Sequence, residues 1–134
     1  MLSRALIFAG FFWVFSVQGA VAQEDHAAAY QALAVQLNLS EQQQQQVRQL
    51  INAYAEKVGA LRQRTAELRT EMQHVQLDTL KKSDIKRMSQ SAGSVAARHT
   101  GAVLQTQLDF YNLLNTSQKR EYLRLRKEGR VGGG

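Results

Sequence analysis

Apolar residues recur alternately four and three positions apart over two long stretches of this chain. In the first stretch Val47, Ile51, Tyr54, Val58, Leu61, Thr65, Leu68, Met72 and Val75 fall on one line. That line is a heptad seam, interrupted only by Thr65. Ser40 precedes it, and Gln43 follows three residues later, the pattern of a capping box. The spacing predicts a helix over 41–77, about 55 Å long at 1.5 Å per residue. The second seam reads Ile85, Met88, Ala92, Val95, His99, Val103, Thr106, Phe110 and Leu113. Ser83 is the expected N-cap, and Asp84 suits the positive end of the helix dipole. Only Asp78–Lys82 separates the two, short enough for the helices to lie as antiparallel neighbours.

Shorter periodic segments flank this pair. The stretch 26–37 is Ala-rich, with Tyr30, Leu33 and Leu37 on one side. Near the other end Asn115 or Thr116 caps a segment through Lys127 that carries Tyr122, Leu123 and Leu125, and Gly129 supplies a helix stop. No segment reads as a strand. The expected fold class is all-α: four helices, the two long ones forming an antiparallel hairpin.

The first 22 residues change the picture of where this fold works. Met1–Arg4 is a short basic start, Ala5–Val17 is apolar and aromatic, and Ala20-Val21-Ala22 offers small residues ahead of Gln23. That order is the pattern of a secretory signal. Its apolar part is shorter than the roughly 20 residues a membrane span needs; an uncleaved anchor is the alternative. The division expected is therefore 1–22 signal peptide, 23–130 helical domain and 131–134 a disordered Gly-rich tail. A mature chain of this size buries about two thirds of its unfolded surface. The sequence contains no cysteine and no proline; the first excludes disulfides and thiolate metal sites, and the second suits long helices. Of the 17 Lys+Arg only Arg4 lies in residues 1–22, so 16 remain against 11 Asp+Glu, a net charge of +5. This favours acidic partners, and export disfavours nucleic acid among them.

Candidate chemistry is sparse. His26, His74 and His99 are far apart, and none has a carboxylate at a spacing that suggests a designed pair. No catalytic residue, metal ligand or cofactor is assigned, and no enzyme activity is expected. His99 lies on the second seam and reads as partly buried or at an interface, His74 as solvated. The run Gln42–Gln46 reads as solvent-facing helix formers. Gly93 and Gly101 interrupt the third helix, each costing about 1 kcal/mol relative to Ala; close packing against the second helix is the simpler explanation, and local flexibility is the other. The basic residues carry more signal. Arg48, Arg62 and Arg69 share a heptad position beside the first seam, and Lys86, Arg87 and Arg98 extend the set on the partner helix. Lys119, Arg120, Arg124, Arg126 and Lys127 cluster in the last helix. Singly these are solvated groups whose stems cover apolar surface. As a set, Arg48, Arg62, Arg69, Lys86, Arg87 and Arg98 form a candidate client-binding surface, attracting acidic unfolded segments by charge and holding them loosely by adjacent apolar groups.

Two short motifs point to a family. Leu39-Ser40-Glu41-Gln42-Gln43 opens the second helix, and Leu114-Asn115-Thr116-Ser117-Gln118 opens the fourth. With the signal, the four helices and the basic balance, the pair resembles the LTxxQ-motif Spy/CpxP family of periplasmic proteins. Asn115 departs from the Thr or Ser of the pattern but can still cap, and the second motif lacks the proline that often follows in relatives. The resemblance implies a curved, antiparallel homodimer with a basic concave face, acting in the periplasm as an ATP-independent chaperone or a stress-sensing regulator. The expected function is a holdase binding unfolded or misfolded envelope proteins, without stable membrane insertion after signal cleavage. The alternatives are an adaptor that represses the sensor domain of a stress kinase, and a metal-responsive sensor.

Overall fold

The computed structural model describes the backbone of residues 19–129 and side chains from His26 onward. The expected boundary at residue 22 falls within helical backbone, while residues 1–18 and the Gly-rich tail lie outside the described residues. Among the described residues the fold is made of four helices: α1 (Gly19–Gln36), α2 (Glu41–Gln73), α3 (Lys82–Leu113) and α4 (Thr116–Lys127). No strand occurs among the described residues. The all-helical class and the number of helices are as the periodicity predicts.

The seams decide how α2 and α3 lie. Gln43 reaches Leu113, Tyr54 and Val58 cluster with Ala102, and Glu71 meets Arg87. Rising numbers on α2 meet falling numbers on α3, so the two run in opposite directions. Their expected boundaries shift at the connection. α2 stops at Gln73 rather than at 77, where His74 turns its ring Nδ1 onto the Thr70 carbonyl at 2.7 Å and Val75 bonds back to Met72. α3 begins at Lys82 with Lys81, not Ser83, at the N-cap. Asp84 causes this: its carboxylate accepts from the Lys81 backbone N–H at 3.1 Å, satisfying a donor that would otherwise be orphaned.

The main core lies where all four helices meet. Leu33 of α1 and Leu37 just after it, Val47 of α2, Phe110 of α3 and Tyr122 and Leu125 of α4 pack there, with Phe110 and Leu125 fully buried. Phe110 stacks between Tyr30 at 5.1 Å and Tyr122 at 5.2 Å between ring centroids, both tilted or edge-on, as ring quadrupoles favour. Burial raises the pKa of Tyr30, reinforced by Tyr122 and Tyr54 and opposed by Arg126. Beyond Tyr54, Val58 and Ala102 the core thins to single buried residues such as Leu68 and Met88.

Candidate functional site

The two motifs are the first feature the fold builds. Ser40 and Asn115 are both extended at the N-cap, and each accepts from the backbone N–H three residues on, at 3.2 and 2.9 Å. Gln43 and Gln118 answer by accepting from the N-cap backbone N–H, both at 2.9 Å. The motif leucines, Leu39 and Leu114, are buried in the main core. Leu39 is placed by Asn38, whose φ of +54° ends α1 in the left-handed region that Asn tolerates. Bonds from Asn38 to Val35 and from Leu39 to Ala34 complete that stop.

Each glutamine also does something that no local motif reveals. The Gln43 amide donates to Gln118 Oε1 at 2.8 Å, and the Gln118 amide donates to Gln43 Oε1 at 3.1 Å. Gln43 Nε2 donates to the Leu113 carbonyl at the end of α3 at 3.0 Å, and Gln118 Nε2 to the Leu37 and Asn38 carbonyls after α1, both at 3.4 Å. Each glutamine therefore caps its own helix start and the carbonyl end that leads into the other motif. Gln43 is consequently half-buried, against the expectation of a solvent-facing run; Gln42, Gln44, Gln45 and Gln46 are exposed as expected. Gln43 and Gln118 thus join the α1–α2 corner to the α3–α4 corner, over a core that holds both Leu39 and Leu114.

The second feature is a groove of about 790 Å³ between α2 and α3, beyond the main core. Val58, Leu61, Leu68 and Met72 line it from α2, Ala92, Val95 and Ala96 from α3. Arg62 and Arg69 flank it along α2. His26 of α1 closes one end against Tyr54, with ring centroids 5.7 Å apart. Partial burial raises the pKa of Tyr54, and the Arg62 charge opposes the shift, so this cation lies close to the groove's closed end. Met72 is 51% exposed, and Ala92 and Ala96 are exposed along the wall. The groove thus pairs an apolar lining, exposed at Met72, Ala92 and Ala96, with two cationic side chains.

The expected basic surface is only partly assembled here. Arg62 and Arg69 reach the groove; Arg48 and Lys86 are exposed outside it. Arg87 is ion-paired with Glu71 at 2.6 Å, a contact that raises its pKa. Arg98 belongs to the other flank of the seam, in a shallower depression with Lys57, Gly101 and Gln105. A helix turn of 100° per residue separates it from the groove wall. In the last helix, Arg124 is paired to both Glu121 and Glu128, while Lys119 lies over the Tyr111 ring at 5.0 Å.

Other expectations need correction. A Cβ built on Gly93 or Gly101 would meet nothing within 4 Å, so close helix packing does not explain either glycine. His99 is exposed and not partly buried, and it lines the same groove as His26. That the two histidines share a groove was invisible in their separation of more than 70 positions. Among the described residues no group of three or more His, Cys, Asp or Glu side chains converges as a metal site would require.

An all-helical chain with two capped Leu-x-x-x-Gln corners joined through their glutamines defines a structural class before any comparison is made. The LTXXQ motif family model matches residues 26–126, and the chain belongs to that family. The resemblance drawn from the two motifs is borne out, and membership is consistent with Spy/CpxP-like periplasmic proteins. No curated protein and no solved structure matches this chain. Among the described residues no helix is long and apolar enough to cross a membrane.

Proposed function

We propose that the exported chain is a periplasmic, ATP-independent holdase that takes unfolded segments of envelope proteins into the α2–α3 groove. The observation that carries this reading is the groove itself, with Leu61 half-buried and Met72 exposed along its apolar lining and Arg62 and Arg69 beside it. Charge draws an acidic unfolded segment in quickly, and unshaped apolar contacts then hold it without demanding a particular sequence. The signal-like residues 1–22 and the family supply the compartment in this proposal. The long pair acts as a hairpin, and a second protomer covers part of its seam: Met72 and Ile85 are seam positions left about half exposed within one chain. Of the six basic residues first grouped together, Arg62 and Arg69 carry client capture.

The test is aggregation protection by residues 23–134 with several unrelated acidic clients, alongside stopped-flow binding at increasing salt. Arg62→Gln/Arg69→Gln should slow association at low salt and flatten its salt dependence, because the Debye length falls from about 10 Å at 0.1 M to about 3 Å at 1 M. Arg48→Gln should leave association unchanged. Equal rates for wild type and the double variant would remove the arginines from the mechanism. Protection of one partner alone, with unrelated clients left to aggregate, would favour the adaptor reading over the holdase.

A further inference from the structure

We propose that the depression between Lys57 and Arg98, on the other flank of the α2–α3 seam, binds a phosphate dianion, either free or at the head of an alkyl chain. Lys57, Ala60 and Leu61 of α2 and Arg98, Gly101 and Ala102 of α3 surround about 390 Å³ there. On each helix these residues are spaced by three and four, so each set forms one patch of its helix surface. The site is separate from the client groove and shares only Leu61 with it.

Charge is the first argument. One cation comes from each wall, and neither is ion-paired among the described residues. Among the described residues no carboxylate lines the depression, and Asp109, one turn beyond Gln105, accepts the Gln105 amide at 2.8 Å. Arg62 and Arg69 are arranged differently. They lie on one helix, seven residues or about 10.5 Å apart, which suits charges spread along a segment. Lys57 and Arg98 border the same small depression from facing helices, which suits one compact head carrying two charges. A guanidinium fork and an ammonium point charge are complementary to phosphate oxygens.

Gly101 is the second argument. A glycine inside a helix costs about 1 kcal/mol relative to Ala, and a Cβ here would meet nothing within 4 Å, so packing does not account for it. The residue lines the depression and lies three positions after Arg98 and four before Gln105. Its bare backbone keeps the space between those side chains open to a ligand. Size is the third argument. The volume is at the small end of ligand clefts, which span about 300–1,000 Å³. It admits an anionic head and a short stem, which Ala60, Leu61 and Ala102 would cover.

The experiment titrates the 1–134 chain with inorganic phosphate, hexyl phosphate and hexyl sulfate, the last keeping the alkyl chain with a single charge. Backbone amide NMR shifts follow the binding. Saturable shifts at 57–61 and 98–105 are expected with both phosphates, and weaker binding with the sulfate. Tighter binding of hexyl phosphate than of inorganic phosphate would assign the site to a lipid-like head, and equal binding to the free ion. Lys57→Gln/Arg98→Gln should weaken both phosphates about tenfold, and Arg62→Gln/Arg69→Gln should leave them unchanged. Gly101→Leu should melt no lower than the wild type yet bind several-fold more weakly, a split that a purely structural glycine does not give. Absence of saturable shifts in the two stretches would overturn the proposal. So would binding that ignores Lys57→Gln/Arg98→Gln or Gly101→Leu, sulfate binding as tight as phosphate, or binding that follows Arg62 and Arg69 instead.

Discussion

Replacing Gln118 with Ala removes one side chain but touches three helix ends. Its Oε1 accepts from the Asn115 backbone at 2.9 Å and from Gln43 at 2.8 Å, and its Nε2 donates to Gln43 at 3.1 Å and to two carbonyls at 3.4 Å. The side chain is 8% exposed, so water does not replace most of these bonds. At a net 1 kcal/mol or so for each well-formed bond, and less for the two long ones, Gln118→Ala should cost about 2–3 kcal/mol. For a domain near 100 residues that is a fall of roughly 10 °C in Tm. Ser40→Ala, which loses one 3.2 Å capping bond, should cost only about 1 kcal/mol, and Asn115→Ala about the same. Gln43→Ala breaks the same reciprocal amide pair from the other side. The double variant should therefore be less destabilised than the two singles added together, by about 1–2 kcal/mol. Urea denaturation of residues 23–134 for the wild type, both singles and the double closes the cycle. Additivity to within about 0.5 kcal/mol would mean that the two corners are not coupled through their glutamines.

Gly93→Ala and Gly101→Ala should each stabilise the chain by roughly 0.5–1 kcal/mol, because the added Cβ enters open space and the helix loses its most flexible positions; thermal melts check this, and destabilisation would reveal a contact the monomer does not contain. Tyr30 gives a pH prediction: its pKa is raised in the folded state, chiefly by burial, so the folded chain holds the neutral phenol while the unfolded chain ionises near pH 10. Stability is therefore fully present below about pH 10 and lost as pH rises past it. Tyr30→Phe should flatten that decline in urea titrations, and an unchanged slope would refute it.

The fold was largely legible because its causes are local. Heptad spacing shows where α2 and α3 run, and Ser40-x-x-Gln43 and Asn115-x-x-Gln118 mark two helix starts with the residues that cap them. Where two local signals competed, the reading slipped. Ser83 looks like a better cap than Lys81, but the Asp84 carboxylate reaches back to the Lys81 N–H and sets the N-cap two residues earlier than expected. The apolar pattern runs on through Val75, but His74 and Val75 fold back onto the last turn of α2 and close it. The site was less legible because it is made by packing. A shared heptad position puts Arg48, Arg62 and Arg69 on one stripe, yet only the latter two lie beside the groove, where the core has thinned. Nothing in either motif signals that Gln43 and Gln118 meet, since each is already explained by its own capping box.

The paired glutamines also set an order of assembly. They are 75 positions apart, and the loop between them contains nearly all of α2 and α3. Closing such a loop directly from the unfolded chain is entropically slow, whereas contacts near the 74–81 connection close short loops first and shorten the remaining search step by step. Zipping from that connection brings the two corners together late. The amide pair then behaves as a clasp, whose removal shows in how fast the molecule comes apart and scarcely in how fast it forms. A chain that must persist without continual refolding assistance gains its working lifetime from such a latch, more than from the seam that guides it home.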